Sequence, residues 1–99
     1  MKFKIYQLKG EHKDAMFLSL DMLKHFNLEF NFENYKEVYE GNMHTDGLNG
    51  VYAIFNIDRP ADFKGHSLSV SDIVQVIESN NVEAGYYFCD SFGWKRVEV

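Results

Sequence analysis

Ile73-Val74-Gln75-Val76-Ile77, Ala84-Gly85-Tyr86-Tyr87-Phe88-Cys89 and Trp94-Lys95-Arg96-Val97-Glu98-Val99 close the chain as three strand-like runs. Each is rich in β-branched or aromatic residues, the types that fit a pleated, half-buried surface. The connections are short. Glu78–Glu83 carries Asn80-Asn81, and Asp90-Ser91-Phe92-Gly93 is a turn signal. Strands joined this closely favour antiparallel neighbours. These runs are therefore expected to sit as antiparallel neighbours in one sheet.

Upstream lies a long polar connection, Asn56 to Asp72, with the chain's only proline. Pro60 drives Arg59 away from helical geometry. Ser67, Ser69, Ser71 and Asp72 can bond nearby backbone and fix a non-repetitive path. Phe63 and Leu68 are its apolar anchors, and the segment is expected to be ordered. Before it, Leu48, Val51, Tyr52 and Phe55 recur at i, i+3, i+4 and i+7, which predicts a helix capped by Thr45 or Asp46. Gly47 and Gly50 each weaken that helix by about 1 kcal/mol relative to Ala. Asn49-Gly50 as a hairpin turn is the competing reading.

The N-terminal half supplies the remaining elements. Phe3 and Ile5 alternate with Lys2 and Lys4, predicting a strand over 2–8. After the polar turn Lys9–Lys13, Asp14 stands at an N-cap position. Ala15, Leu18, Met22 and Phe26 follow at helical spacing, widened by Met16, Leu20 and Leu23. A helix over 14–26 is expected, with this stripe on the sheet. Leu28, Phe30 and Phe32 alternate with Glu29, Asn31 and Glu33, and Tyr35–Glu40 follows up to Gly41. One or two strands are expected over 28–40. The sum is a single α+β domain: a mainly antiparallel sheet of about five strands with two helices.

Composition narrows the function classes. The 99 residues are 45% hydrophobic and 16% aromatic, enough for one core. No apolar run reaches the ~20 residues needed to cross a bilayer. The first residues lack a signal peptide's apolar region. Cys89 is the only cysteine, so no internal disulfide can form. A cytoplasmic location is expected. Net charge is −5, and no basic cluster marks a nucleic-acid binder. An acidic surface suits a basic partner instead.

Motifs for chemistry are sparse. Gly65-His66-Ser67-Leu68-Ser69 has Ser69 where a nucleophile elbow needs its second Gly, and no strand precedes it. His12, His25, His44 and His66 show no ligand spacing for zinc. His66 with Asp62, Asp72 or Cys89 could hold a metal only if folding brought them together. Cys89, in an aromatic strand, is expected to be a buried, inert thiol. No Walker or dinucleotide glycine pattern occurs. No catalytic residue, metal or cofactor is assigned. The aromatics Tyr86, Tyr87, Phe88, Phe92 and Trp94 alternate across strand faces, with only Lys95 and Arg96 as nearby cations.

The chain resembles the YodL-like domain. The resemblance starts at Ile5-Tyr6-Gln7-Leu8-Lys9 and resumes at Tyr35 and Val38-Tyr39-Glu40-Gly41. It is dense through Phe55-Asn56, Arg59-Pro60, Asp62-Phe63, Gly65–Val74, Tyr86-Tyr87 and Asp90-Ser91-Phe92-Gly93. Gly65–Val74 is its most specific part. The resemblance implies an accessory module of mobile elements in Gram-positive bacteria, with no assigned activity. A free-standing acidic domain in that setting resembles an anti-CRISPR protein in size and charge. The expectation is an inhibitor without enzymatic activity that binds a basic nucleic-acid-binding protein such as Cas9. It would block nucleic-acid loading or target recognition, contacting neither nucleic acid nor membrane itself. Glu29 and Glu33, on one face of a possible strand, Glu37 and Glu40 beyond them, and Asp58 and Asp62 around Pro60 are the expected contacts. The alternative is an accessory domain with an enzymatic or metal-binding site in the 62–72 loop.

Overall fold

The computed structural model describes residues 1–99 as a five-stranded antiparallel sheet with helical segments on both faces. The strands are β1 (Lys2–Leu8), β2 (Tyr35–Asn42), β3 (Ile73–Glu78), β4 (Gly85–Asp90) and β5 (Gly93–Val97). Their spatial order is β2-β1-β3-β4-β5. The C-terminal meander pairs as its short loops require, with Ile73 opposite Phe88 and Cys89 opposite Trp94. β1 lies between β2 and β3. Phe3 faces Gly41 on one side and Val76 on the other.

Alternation sorts the side chains into two layers. On one face Phe3, Ile5, Val74 and Val76 meet Val51 and Phe55 of α2 (Gly47–Ile57) and Leu68 of the long loop. Phe55 meets the Phe3 ring edge-on at 6.0 Å and that of Phe63 at 4.9 Å. On the other face Leu8, Ile73 and Phe88 meet Tyr35 and Leu23. A register shift between Ile5 and Tyr6 pairs them with Tyr39 and Glu37. This bulge leaves Val38 unpaired in the ladder and bends the edge strand.

The helix at 47–57 forms as its period predicts, and the Asn49-Gly50 hairpin does not. Asp46 takes the cap position without a side-chain cap bond, while the Thr45 hydroxyl donates to the Gly47 carbonyl at 3.3 Å.

The helix expected over 14–26 is broken. A 3₁₀ segment spans Gly10–Ala15, and α1 spans only Leu20–His25. Between them Phe17 adopts φ 68°, a left-handed conformation that ends any helix. Ser19, not Asp14, is the N-cap of α1, its side chain accepting from the Met22 N–H. The stripe splits accordingly: Leu23 is buried and Leu20 half-buried, but Met22 and Phe26 are exposed. Residues 28–31 form no strand either. Asn31 caps a 3₁₀ turn at Phe32–Asn34, and only then does β2 begin. Glu29 and Glu33 thus share no strand face.

Candidate functional site

The Gly65–Val74 segment closes around one buried carboxyl group. Asp72 is 1% exposed and sits just before β3. Its Oδ2 accepts from the Ser69 main-chain N–H at 2.8 Å and from Gln7 Nε2 at 3.0 Å. Gln7, 2% exposed, follows Phe3 and Ile5 on the inner face of β1. Its Nε2 also donates to the His66 carbonyl at 2.9 Å, and its Oε1 accepts from the His66 N–H at 3.2 Å. Gly65 makes this approach possible, because a Cβ there would collide with Gln7 Oε1.

His66 is the outer member. Its Nδ1 lies 2.7 Å from the Ser67 carbonyl, an acceptor, so Nδ1 carries the hydrogen. Nε2 faces Asp72 Oδ1 at 3.9 Å, too long for a hydrogen bond. Both atoms are buried and unpartnered. Burial pushes the Asp72 carboxyl up to about 8, against the opposing hydrogen bonds from Ser69 and Gln7. Burial thus favours the neutral, protonated form of this carboxyl.

Ser71 ties this centre to the rest of the fold. It adopts φ 88°, its Oγ accepts from the Phe17 N–H at 3.0 Å, and its carbonyl accepts from the Tyr35 hydroxyl at 2.6 Å. Burial raises the Tyr35 phenol, with the Asp72 charge adding to it. Ser71 N–H donates to the Cys89 carbonyl, and Cys89 N–H to the Asp72 carbonyl. The Cys89 thiol is buried and is pushed up to about 12 by burial, then by Asp72 and Asp90. Two left-handed non-glycine residues in direct contact mark this as the strained part of the chain.

A cleft of about 260 Å³ opens beside Gln7 and His66, with Lys36, Val38, Lys64 and Gly65 among its walls. A larger one, about 590 Å³, lies between α1 and the β4–β5 hairpin. Its floor is Leu20, Leu23, Leu28 and Phe30, and its rim mixes Asp21, Glu29 and Asp90 with Lys24 and Lys95. Its walls come from α1, from the β4–β5 hairpin and from residues 28–30, which form no strand.

The expected contact residues distribute unevenly. Glu37 and Glu40 lie on edge strand β2, where Glu37 pairs with Lys4 at 3.1 Å and Glu40 is opposite Lys4 in the ladder. Glu33 precedes that strand, and Lys9 Nζ donates to its carbonyl. Asp62 acts on Tyr39 of β2, whose phenol is raised by burial first and by Asp62 second. Asp58 ends α2, exposed, and Glu29 stands apart on the rim of the larger cleft. Of the loop's candidate pair, Asp72 meets His66 and Asp62 does not. No three of the His, Cys, Asp and Glu side chains gather to hold a metal. His12, His25 and His44 join no such cluster.

A fold with this centre matches one family model. The YodL-like domain covers residues 2–99, and the chain belongs to that family. Neither the curated proteins nor the solved structures compared with the chain contain a match. No helix is long and apolar enough to cross a membrane.

Proposed function

We propose that the protein is a binding module that captures a basic macromolecule along the acidic edge of its sheet. The observation that carries this reading is the position of β2. It is outermost, eight residues long, and bonded to β1 alone. Glu37 and Glu40 lie on it and Glu33 just before it, and Asp62 is near enough to Tyr39 of this strand to raise its phenol. An edge strand offers unpaired N–H and C=O groups to a partner segment. The flanking carboxylates select a basic one and deter self-pairing. Cas9, taken before or after guide loading, is the concrete partner to test first, with inhibition by blocking nucleic-acid loading or target recognition. Its support is the mobile-element setting that the family resemblance implies.

The test is binding and cleavage inhibition across several Cas9 orthologues, with the protein added before guide RNA. Binding should weaken as salt rises, since exposed charges are screened beyond about 8–10 Å near physiological ionic strength. Reversing Glu33 and Glu37, or Asp58 and Asp62, should weaken it without unfolding. Normal cleavage with excess folded protein removes Cas9 as the partner. Salt-independent capture of whatever partner is found removes the acidic edge.

The second reading, chemistry in the 62–72 loop, is favoured by the meeting of His66 and Asp72. Against it, both His66 nitrogens are turned inward, to Ser67 O and to Asp72, leaving neither directed at the Ser67 hydroxyl.

A further inference from the structure

In a chain of net charge −5, the cleft beside His66 inverts the sign. Lys36 and Lys64 line it, and none of its nine lining residues is acidic. Lys4 is engaged with Glu37, Arg96 with Glu83 and Lys9 with the Glu33 carbonyl, while Lys2, Lys13 and Arg59 lie outside this cleft. Lys24 and Lys95, though unpaired, share their cleft with three carboxylates. Lys36 and Lys64 face no such neutralising neighbour within their cleft.

The wall behind them is built rather than incidental. Gln7 is buried and has both amide groups committed to His66 and Asp72. Gly65 presses against Gln7 where no side chain would fit. The main-chain N–H groups of Lys64 and Gly65 donate to no other protein group. His66 Nε2 and Asp72 Oδ1, both buried and without partners, face each other at 3.9 Å. Two ammonium groups beside a buttressed wall, with no carboxylate in the lining, are the chemistry that holds a compact anion. Two positive charges match a dianion, and about 260 Å³ suits a phosphate-sized group with a small substituent.

We propose that the cleft formed by Gln7, Lys36, Lys64, Gly65 and His66 binds a small phosphate-bearing ligand, independently of any partner at the β2 edge. The experiment is a two-dimensional NMR titration of the ¹⁵N-labelled protein at constant ionic strength. The probes are inorganic phosphate, pyrophosphate and glycerol 3-phosphate, with acetate as the monoanion arm. Saturable shifts at the Lys36, Lys64, Gly65 and His66 amides and the Gln7 side-chain amide are expected with phosphate compounds and not with acetate. Tighter binding of the ester than of pyrophosphate assigns the site to an organic phosphate, and the reverse order to an inorganic one. The K36Q/K64Q variant should raise Kd by about tenfold or more, the loss of roughly one charge-assisted contact. K24Q/K95Q removes the same charge elsewhere and should leave Kd within about twofold, as the Debye length requires of distant exposed charges. Both exchanges are at exposed residues, and well-dispersed spectra verify folding. Non-saturating drift spread over the surface, equal loss in both double variants, or unchanged binding in K36Q/K64Q overturns the proposal.

Discussion

The two faces of the sheet are sealed by different means. One carries an eleven-residue helix whose Val51 and Phe55 are fully buried, completed by a loop folded around Asp72. The other is covered by a six-residue helix and two 3₁₀ segments, with Leu23 the only buried residue among them. The first face hides a titratable group in its lining, whereas the second leaves a 590 Å³ cleft and exposes Met22 and Phe26. The two layers are thus sealed unequally, because a long amphipathic helix covers more of a sheet than a short one.

The largest expected effect tests that inequality directly. Phe55→Ala should cost about 3–5 kcal/mol, since it removes a ring packed against Phe3, Tyr39 and Phe63. Leu23→Ala should cost about 2 kcal/mol, the low end for a buried Leu, because its side chain borders the open cleft. Equal losses in urea denaturation would erase the contrast. Gly65→Ala should cost about 1–3 kcal/mol by driving Gln7 off His66 and Asp72.

A pH series sharpens it. The Asp72 carboxyl titrates near 3.8 when unfolded and at about 8 when folded. Between those values the folded state binds more protons than the unfolded one, so this group makes stability fall as pH rises. Asp72→Asn keeps an acceptor for Ser69 and Gln7 and removes the proton. The stability of the original protein relative to this variant should therefore decline from about pH 4 to about pH 8. A flat difference would show that Asp72 ionises normally. The smallest expected effect is none: fluorophosphonate should leave Ser67 unmodified, and an adduct there would place nucleophilic chemistry on the α2 face.

What could be read from the sequence follows how local each cause is. β1 runs over the expected 2–8, and β3, β4 and β5 lie within a residue or two of their apolar runs, because alternation is a nearest-neighbour signal. The break at Phe17 was illegible because its N–H is held by a Ser71 hydroxyl 54 residues away. The strand expected at 28–31 failed for a similar reason, its apolar residues packing as separate anchors around Tyr35 and Phe88. The specific Gly65–Val74 segment was visible, but its partner was not. Gln7 did leave one trace, a polar residue on the parity of Phe3 and Ile5, where the pattern calls for an apolar one. The lysine cleft left none, since Lys36 and Lys64 belong to unrelated segments.

The placement of β1 also bears on how the sheet assembles. Phe3 must meet Gly41 on one side and Val76 on the other. Both neighbours of β1 lie far along the chain, β2 ending at Asn42 and β3 at Glu78. Without β3, one edge of β1 has no partner in the sheet. Closing so distant a pair is slow compared with a local hairpin. Any stage of folding that paired β1 with β2 before β3 arrived would leave that edge open to a chaperone or a stray strand.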